Sequence, residues 1–274
     1  MLSGKKAVSA IGSFYLFVLL SAGMVTTMYS QDNTWNGKKC AIVFTYDDAL
    51  NVHLDNVLPI LDSLGFNGTF YLAGSFPAMQ PRLDDWRAAA EKGNELGSHS
   101  LFHPCKGSLP NRDWVKPEYD LDTYTLRQMK DELVTMNSFL TALDGKTKRT
   151  YAYPCGETTI GDSSYIPIVE ENFTAARGVE NILQTIDEVD LYCTGCYPVD
   201  DSITSEQLEN LVDEAVEKNA LLVFLFHGVG GEHSINVSLE VHNELLKYVK
   251  ENEDKIWVAP LENIAEYIVA ERSK

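Results

Sequence analysis

Short apolar runs alternate with longer amphipathic stretches over most of the chain. The apolar runs that predict β-strands lie at residues 40–46, 68–73, 94–98, 150–154, 173–177, 220–226 and 255–260. The stretches with helical periodicity lie at about residues 52–64, 81–92, 122–143, 163–171, 204–218, 238–251 and 260–271. Strands that alternate with helices predict a parallel sheet with helices outside it. About seven such units favour a closed or nearly closed β/α barrel over an open sheet.

Two local signals mark helix ends within this pattern. Gly65 follows the first predicted helix, and Thr204 with Gln207 forms a capping box at the start of another. No repeat, low-complexity tract or linker rich in proline or serine interrupts the sequence after its first thirty residues. Residues 31–274 are therefore interpreted as one domain.

The first thirty residues have the pattern of a segment that directs export. Lys5 and Lys6 precede an apolar stretch at residues 7–25. A positive region followed by a short apolar one is typical of a secretory signal peptide. The alternative is an uncleaved anchor, for which the stretch is only just long enough. We interpret residues 1–30 as a signal peptide, and the sequence does not determine its cleavage site. We expect an exported protein, periplasmic or extracellular, with no stable membrane association after cleavage.

The net charge of the chain limits the kinds of molecule that it can bind. The chain carries 40 acidic and 22 basic side chains, which gives a formal net charge of −18. This excess argues against nucleic acid and against an anionic membrane surface, because both would be repelled. An acidic protein surface fits a neutral polymer better than an anionic one.

Five cysteines lie beyond the predicted signal peptide, at Cys40, Cys105, Cys155, Cys193 and Cys196. An odd count in an exported chain requires at least one free thiol or an intermolecular bond. Cys193 and Cys196 form a single C-x-x-C without a second pair at zinc-finger spacing. This favours a local disulfide or two free thiols over a metal site or a redox centre.

Polar side chains suited to chemistry follow several of the predicted strands. In folds built from parallel β/α units, the active site gathers at the carboxyl ends of the strands. The residues at these ends are Asp47, Asp48, His99, His103, the segment 151–156, Arg177 and His227. Each signal is weak alone, since a histidine after an apolar strand is often a hydrogen-bonded core residue. Their occurrence at separate strand ends of one β/α pattern indicates a common site.

Metal-assisted hydrolysis unites these residues. Two histidines and one carboxylate that leave a position open for water make a catalytic zinc site. His99 and His103 reach one ion from the same side if the chain makes a helical turn before Pro104. Successive side chains at a strand end point in different directions, so one of Asp47 and Asp48 can bind the ion while the other faces its water. The ion would also offset the repulsion between the two carboxylates.

The same residues resemble the motifs of the polysaccharide deacetylases of the NodB-homology type, carbohydrate esterase family 4. The first motif of that family, TFDDG, matches residues 45–49, and the second, H-S/T-x-x-H-P, matches residues 99–104 without a mismatch. The third matches residues 151–156, and the fifth, L-x-H, matches residues 225–227. The resemblance spans about residues 40–268. It implies a distorted (β/α)7 barrel that hydrolyses acetyl groups on carbohydrates.

The resemblance also implies roles for the residues of the first two motifs. Asp48, His99 and His103 would bind one divalent metal ion, zinc. Asp47 would act as the general base toward a water molecule that the ion activates.

The remaining motifs imply an acid and an oxyanion donor, with departures from the family. His227 would protonate the leaving oxygen or nitrogen, and the backbone N–H of Cys155, after Pro154, would hold the oxyanion. Ala152 replaces an arginine that orients the base in many members. Arg177, at the end of the next strand, either supplies that charge or forms an ordinary salt bridge. The family's Asp-Trp pair that supports the catalytic histidine has no match, so His227 has no assigned partner.

Three functions are to be distinguished by these residues. The first is an exported, metal-dependent deacetylase of an acetylated carbohydrate polymer or oligomer. The missing Asp-Trp pair favours O-acetyl esters, such as those of acetylxylan, over N-acetyl groups of chitin or peptidoglycan, because an alkoxide leaves more readily than an amine. A non-catalytic carbohydrate-binding barrel would be expected to lack a ligand or the base. A metal-independent amidohydrolase of the same fold would lack the full ligand set.

Overall fold

The structure of the chain, a computed structural model, describes residues 34–274 together with Met1, Leu2 and Gly4. Nearly all of the predicted signal peptide, residues 1–30, lies outside the described residues. In the part of the chain that the structure describes, no helix is both long enough and apolar enough to cross a bilayer.

All seven predicted strands are present. The strands of the described residues are β1 (Cys40–Asp47), β2 (Thr69–Leu72), β3 (Glu95–Ser98), β4 (Tyr151–Ala152), β5 (Thr159–Ile160), β6 (Ser163–Ser164), β7 (Ala176–Arg177), β8 (Tyr197–Pro198), β9 (Leu221–Phe226), β10 (Gly228–Val229), β11 (Asn236–Val237) and β12 (Ile256–Val258). β1 and β9 are buried along their whole lengths, as their unbroken apolar runs require.

Eight of these strands form one parallel sheet around β1. The order is β7-β4-β3-β2-β1-β9-β8, and β12 pairs with the first residues of β1. β9 pairs with β1 from Ala41 to Tyr46, and β2 pairs with β1 from Thr45 to Asp47. The carboxyl ends of β1, β2 and β9 therefore lie side by side.

A short segment joins the two edges of this sheet. Thr194 forms a parallel bridge with Arg177 at the end of β7. β8 begins three residues further on and pairs with β9. The seven strands β1, β2, β3, β4, β7, β8 and β9 thus curl into an almost closed barrel, which confirms the predicted (β/α)7 architecture.

Each predicted helix is also present. The helices are α1 (Leu58–Leu64), α2 (Leu83–Glu91), α3 (Leu126–Asp144), α4 (Ile166–Asn172), α5 (Ser205–Lys218), α6 (Leu239–Glu251) and α7 (Leu261–Arg272). A π-helical turn, His53–Val57, precedes α1. The left-handed Gly65 ends α1, and the capping box of Thr204 and Gln207 starts α5, as predicted.

Two predicted helix starts and three short strand pairings differ from the sequence pattern. The predicted helix at 122–143 begins only at Leu126, because Thr125 and Gln128 form a capping box there. The predicted helix at 163–171 begins at Ile166, because β6 pairs with β5 in a small hairpin. The two-residue strands β8, β10 and β11 are too short to show any periodicity.

A buried carboxylate ties the sheet together at the end opposite the polar motifs. Glu95, at the start of β3, is almost completely buried. One of its carboxylate oxygens accepts the N–H and the hydroxyl of Thr150, each at 2.7 Å. The other accepts the Thr69 hydroxyl at 2.9 Å and the Glu262 N–H at 3.0 Å. Glu95 therefore links β2, β4 and the start of α7.

Replacing Glu95 by alanine should destabilise the fold. The change leaves several buried donors without an acceptor, and such donors cost about 1–3 kcal/mol each when unpaired. We expect the free energy of unfolding in urea to fall by about 2–4 kcal/mol. Glu91→Ala, on the exposed side of α2, is the matched control and should change it by less than about 0.5 kcal/mol. Equal stability of the two variants would contradict this account.

Candidate active site

The two neighbouring aspartates stand where β1 turns into the barrel mouth. Asp47 is the last residue of β1, and both Asp47 and Asp48 are less than 5% exposed. Asp48 and Ala49 have left-handed backbones, with φ of 82° and 54°. Left-handed backbone costs free energy for residues other than glycine, and such residues cluster at functional sites. This turn places both carboxylates on the wall of one cavity.

The side chains of Asp48, His99 and His103 converge closely enough to share one metal ion. Oδ1 of Asp48 lies 3.7 Å from Nε2 of His99 and 3.5 Å from Nε2 of His103. The ligand atoms of the three residues all lie within 4.8 Å of one another. Oδ1 of Asp48 is buried and accepts no hydrogen bond from any described residue. A buried carboxylate oxygen facing two imidazoles fits a divalent cation.

The loop that carries the two histidines is not the helical turn that the sequence suggested. Ser100 and His103 both have left-handed backbones, with φ of 63° and 54°. The His103 N–H donates to the Ser100 hydroxyl at 2.9 Å. Glu132, reaching in from α3, accepts the Phe102 N–H at 2.9 Å and the Tyr124 hydroxyl at 3.0 Å. Local side-chain hydrogen bonds therefore shape the loop in place of helical ones.

Hydrogen bonding fixes the state of the His99 ring. Its Nδ1 lies 2.9 Å from the Ala152 carbonyl oxygen. A carbonyl can only accept, so Nδ1 carries the proton and Nε2 directs its lone pair toward Asp48. Burial lowers the pKa of His99, and it lowers the pKa of His103 well below its ordinary value. Both rings are neutral at neutral pH, which is the form that binds metal.

Asp47 is distinguished from Asp48 by its partner. Arg177 is fully buried, and its guanidinium donates a hydrogen bond to Oδ2 of Asp47. The same guanidinium lies 5.2 Å from the centre of the Tyr71 ring. Burial alone would raise the pKa of Asp47, but the charge and the hydrogen bond of Arg177, together with His99 and His227, more than offset burial, so the pKa lies below its ordinary value. Asp47 is thus a carboxylate held in place by a cation.

Asp48 is the carboxylate without a cation. Burial and the adjacent charge of Asp47 raise the pKa of Asp48 to about 8. Nε2 of His99 lies 3.7 Å from both aspartates, so distance to His99 alone does not separate their roles. The contact with Arg177 distinguishes their roles. Arg177 forms an ion pair with Asp47, whereas Asp48 faces the histidines without such a partner. A bound cation would relieve the charge that now raises the pKa of Asp48.

The turn after β4 contains a disulfide that the sequence did not predict. Cys155 has a left-handed φ of 58°, and its sulfur is bonded to Cys105 across 50 residues of sequence. Cys105 lies two residues after His103, so the bond joins the histidine loop to the turn of Pro154 and Cys155. Cys193 and Cys196, in the C-x-x-C, are free thiols, as is Cys40.

His227 lies just after β9 and lines the same cavity as Asp48, His99 and His103. Its backbone carbonyl accepts a hydrogen bond of 2.8 Å from Nε2 of His53. Its Nδ1 is buried, and no described residue forms a hydrogen bond with it. The missing partner that the sequence indicated is therefore also missing from the described structure. Burial lowers the pKa of His227 to about 4.

One further side chain of this site, His233, could not be identified from the sequence. It lies between β10 and β11, and its Nε2 is 3.6 Å from Oδ2 of Asp48. Its ring lies almost parallel to that of His227, with 4.8 Å between the centres. No strand-end signal marks this residue, because it follows β9 by seven positions and belongs to a loop.

The two aspartates, the histidines at 99 and 103 and the two histidines after β9 line one cavity of about 620 Å³. Among the lining residues are Asp47, Asp48, His99, His103, Cys155 and His227. Arg177 supports Asp47 from behind and does not line the cavity. Trp114, which is 57% exposed, and Arg112 stand on its wall, with the guanidinium 5.5 Å from the centre of the indole ring. This volume lies within the range of small-molecule binding sites in proteins.

Comparison with known proteins agrees with the motifs. Residues 35–164 match the family model described as polysaccharide deacetylase. A curated relative, the peptidoglycan-N-acetylmuramic acid deacetylase of Bacillus subtilis (strain 168), is 30% identical over 120 residues. That alignment spans 43% of this chain and 39% of the relative, so the chain covers well under half of that protein. The match over residues 35–164 confirms the resemblance to polysaccharide deacetylases that the sequence shows.

Solved structures share the fold over most of the chain. A polysaccharide deacetylase structure from Mycobacterium smegmatis has a TM-score of 0.64 at 17% identity, covering 87% of this chain and 93% of that one. A family 4 acetyl xylan esterase from Clostridium thermocellum, solved with a cobalt ion, has a TM-score of 0.55 at 17% identity, covering 83% and 91%. A pseudoenzyme of the CE4 family from Bacillus anthracis has a TM-score of 0.52 at 18% identity, covering 83% and 66%. At these identities the likeness shows the fold alone.

Proposed function

We propose that the chain is a metal-dependent deacetylase of acetylated carbohydrate, with zinc as its ion. One observation carries the proposal: Asp48, His99 and His103 meet within 4.8 Å beside a second buried aspartate that is paired with Arg177. The family match supports a hydrolase of acetyl groups, and the donor set of two imidazoles and one carboxylate suits zinc.

The chain's own residues divide the chemistry. A divalent ion held by Asp48, His99 and His103 would polarise the acetyl carbonyl and acidify a water molecule. Asp47, held as a carboxylate by Arg177, would take the proton of the attacking water. The backbone N–H of Cys155 would donate to the carbonyl oxygen as it gains charge. Arg177 would orient the base in place of the arginine that Ala152 replaces.

His227 would donate a proton to the leaving group. Burial keeps its imidazole neutral in the free site at neutral pH, because its pKa is lowered to about 4. It must therefore receive a proton during turnover before it can donate one. Since Asp47 takes a proton from water at the same site, the two residues would pass that proton from the nucleophile to the leaving group.

His227→Ala should lower kcat most for substrates with poor leaving groups. An amine or a sugar alkoxide needs its proton more than an activated aryl oxide does. General acid catalysis contributes about a hundredfold to ten-thousandfold, so kcat on an acetylated sugar should fall at least tenfold more than kcat on an aryl acetate. Metal content should stay the same, because three other residues hold the ion. An equal loss on both substrates would instead assign His227 to pocket shape or oxyanion binding.

Two substrate classes are supported by different observations. The unpartnered Nδ1 of His227 supports O-acetyl esters, whose alkoxide leaves without a finely tuned acid. The relative that acts on peptidoglycan N-acetylmuramic acid supports an N-acetyl substrate. Acetate release from acetylated xylan, chitooligosaccharides and peptidoglycan would separate them, each assayed with and without a chelator.

The same panel tests the alternative of a non-catalytic carbohydrate-binding barrel. The pseudoenzyme among the similar structures shows that the fold by itself does not guarantee catalysis. Binding to a polymer without acetate release from any substrate, in protein loaded with zinc, would favour that alternative. Acetate release that persists fully after removal of the metal would favour a metal-independent hydrolase.

Export remains a proposal that rests on residues 1–30. The support is the pattern of Lys5 and Lys6 before an apolar stretch. A mature chain that begins after this segment, found outside the cytoplasm by cell fractionation and N-terminal sequencing, is the expected result.

A further inference from the structure

His103 presents its two ring nitrogens to two different groups of side chains. Nε2 lies 3.5 Å from Asp48, on the side of His99. Nδ1 lies 3.6 Å from the sulfur of Cys105, which is bonded to Cys155. The ligand atoms of His103, Cys105 and Cys155 lie within 4.8 Å of one another, as do those of Asp48, His99 and His103. His103 is thus common to two groups of possible metal ligands.

We propose that reduction of the Cys105–Cys155 disulfide creates a second metal site, formed by both thiolates and Nδ1 of His103. A phosphine or dithiol reductant supplies two electrons, the S–S bond breaks, and each sulfur takes a proton. A divalent ion such as zinc then binds both sulfurs, and the two protons are released to solvent. While the disulfide is intact, the sulfurs are not thiolates and this site does not exist.

The donor set and its surroundings suit such an ion. Two cysteines and one histidine are zinc ligands, and they leave a fourth position for water. Zinc–sulfur bonds of about 2.3 Å at tetrahedral angles put two sulfurs roughly 3.8 Å apart, so the two thiolates must move apart once the S–S bond is broken. Cys155 also lines the cavity, which gives an ion a path to the site.

The two sites compete because they share one imidazole. A neutral imidazole has a single lone pair, so an ion on Nδ1 leaves the proton on Nε2. His103 would then face Asp48 with an N–H group, and only Asp48 and His99 would remain as ligands of the first site. Soft thiolates are preferred ligands of zinc. The reduced protein should therefore hold the ion at the cysteines, and the disulfide would be required for the site with Asp48 to fill.

Cobalt absorption spectra test this inference without any measurement of activity. Co²⁺ is added to metal-free protein, either oxidised or reduced with a phosphine, and thiolate-to-cobalt absorption is recorded in the near ultraviolet. We expect the band to appear in the reduced protein. The double variant Cys105→Ser/Cys155→Ser is the matched control, since any band that it keeps after reduction belongs to the three other cysteines. Equal spectra of the reduced wild type and the reduced double variant would overturn the proposal.

Two single variants locate the site. In the reduced protein, His103→Ala should weaken cobalt binding at the thiolates by at least about tenfold, because a ligand is lost. Asp48→Asn should keep the thiolate band, because Asp48 is not a ligand of the second site and the amide oxygen can still accept the Nε2–H of His103. Loss of the band in Asp48→Asn would mean that the thiolates join the original site, and a separate second site would be ruled out. Neither result depends on whether the chain is a deacetylase.

Discussion

Asp47→Asn should lower kcat by about a hundredfold or more while the protein keeps its metal ion. The amide has the shape of the carboxylate but cannot take a proton from water. The ion should stay, because Asp48, His99 and His103 group together without Asp47. Turnover on an acetylated carbohydrate, together with zinc content by elemental analysis, measures both parts of the prediction.

This variant also removes the anionic partner of a buried cation. Arg177 is fully buried against Asp47, so thermal unfolding must show that the variant is folded before its kinetics are interpreted. The contrast with Asp48→Asn supplies the control, since that variant should lose the ion. If Asp47→Asn loses the ion and Asp48→Asn keeps it, the two aspartates have exchanged roles.

His103→Ala should lower metal affinity and activity together. Loss of a residue that only supports a metal ligand costs about tenfold to a hundredfold in affinity, so loss of a ligand should exceed about a hundredfold. The measurement is competition for zinc with a chromophoric chelator, followed by acetate release at saturating zinc.

His233→Ala is the matched control for His103→Ala. Its Nε2 lies 3.6 Å from Asp48, about as close as the 3.5 Å of His103, yet it contacts the other carboxylate oxygen and lies outside the ligand group. It should therefore keep the zinc affinity within about tenfold. Full occupancy in His103→Ala, or equal losses in the two variants, would contradict the assignment of His103 as a ligand.

Much of the fold could be predicted because its long elements carry clear periodicity. The buried runs of β1 and β9 and the capping box at Thr204 are signals that local sequence contains. The closure of the barrel could not be predicted in the same way. It depends on Thr194 and on the two residues of β8, which are set by contacts with distant strands.

In the candidate site, too, some features follow from local sequence and others depend on contacts between distant residues. Asp47, Asp48, His99, His103 and His227 stand at strand ends, where topology brings side chains together. The left-handed loop of Ser100 and His103 was not predictable, because left-handed backbone is uncommon for any residue other than glycine and no local sequence signal marks it here. Its shape depends instead on Glu132, a residue of α3 that is 29 positions beyond His103.

Residues outside strand ends were missed for related reasons. His233 belongs to a loop after β9, and only the folded chain brings it to Asp48. The pairing of Cys105 with Cys155 cannot be deduced from five cysteines in a sequence. Arg177 was visible at a strand end, but its contact with Asp47 depends on the curl of the sheet between β1 and β7.

The central claim is that hydrolysis depends on one ion held by Asp48, His99 and His103. Its most direct test is acetate release from an acetylated carbohydrate substrate by metal-free protein as zinc is titrated back. We expect almost no acetate without zinc and a rate that rises to a plateau near one equivalent. Full activity of the metal-free protein, or a plateau at one equivalent that His103→Ala still reaches with the same affinity, would contradict it.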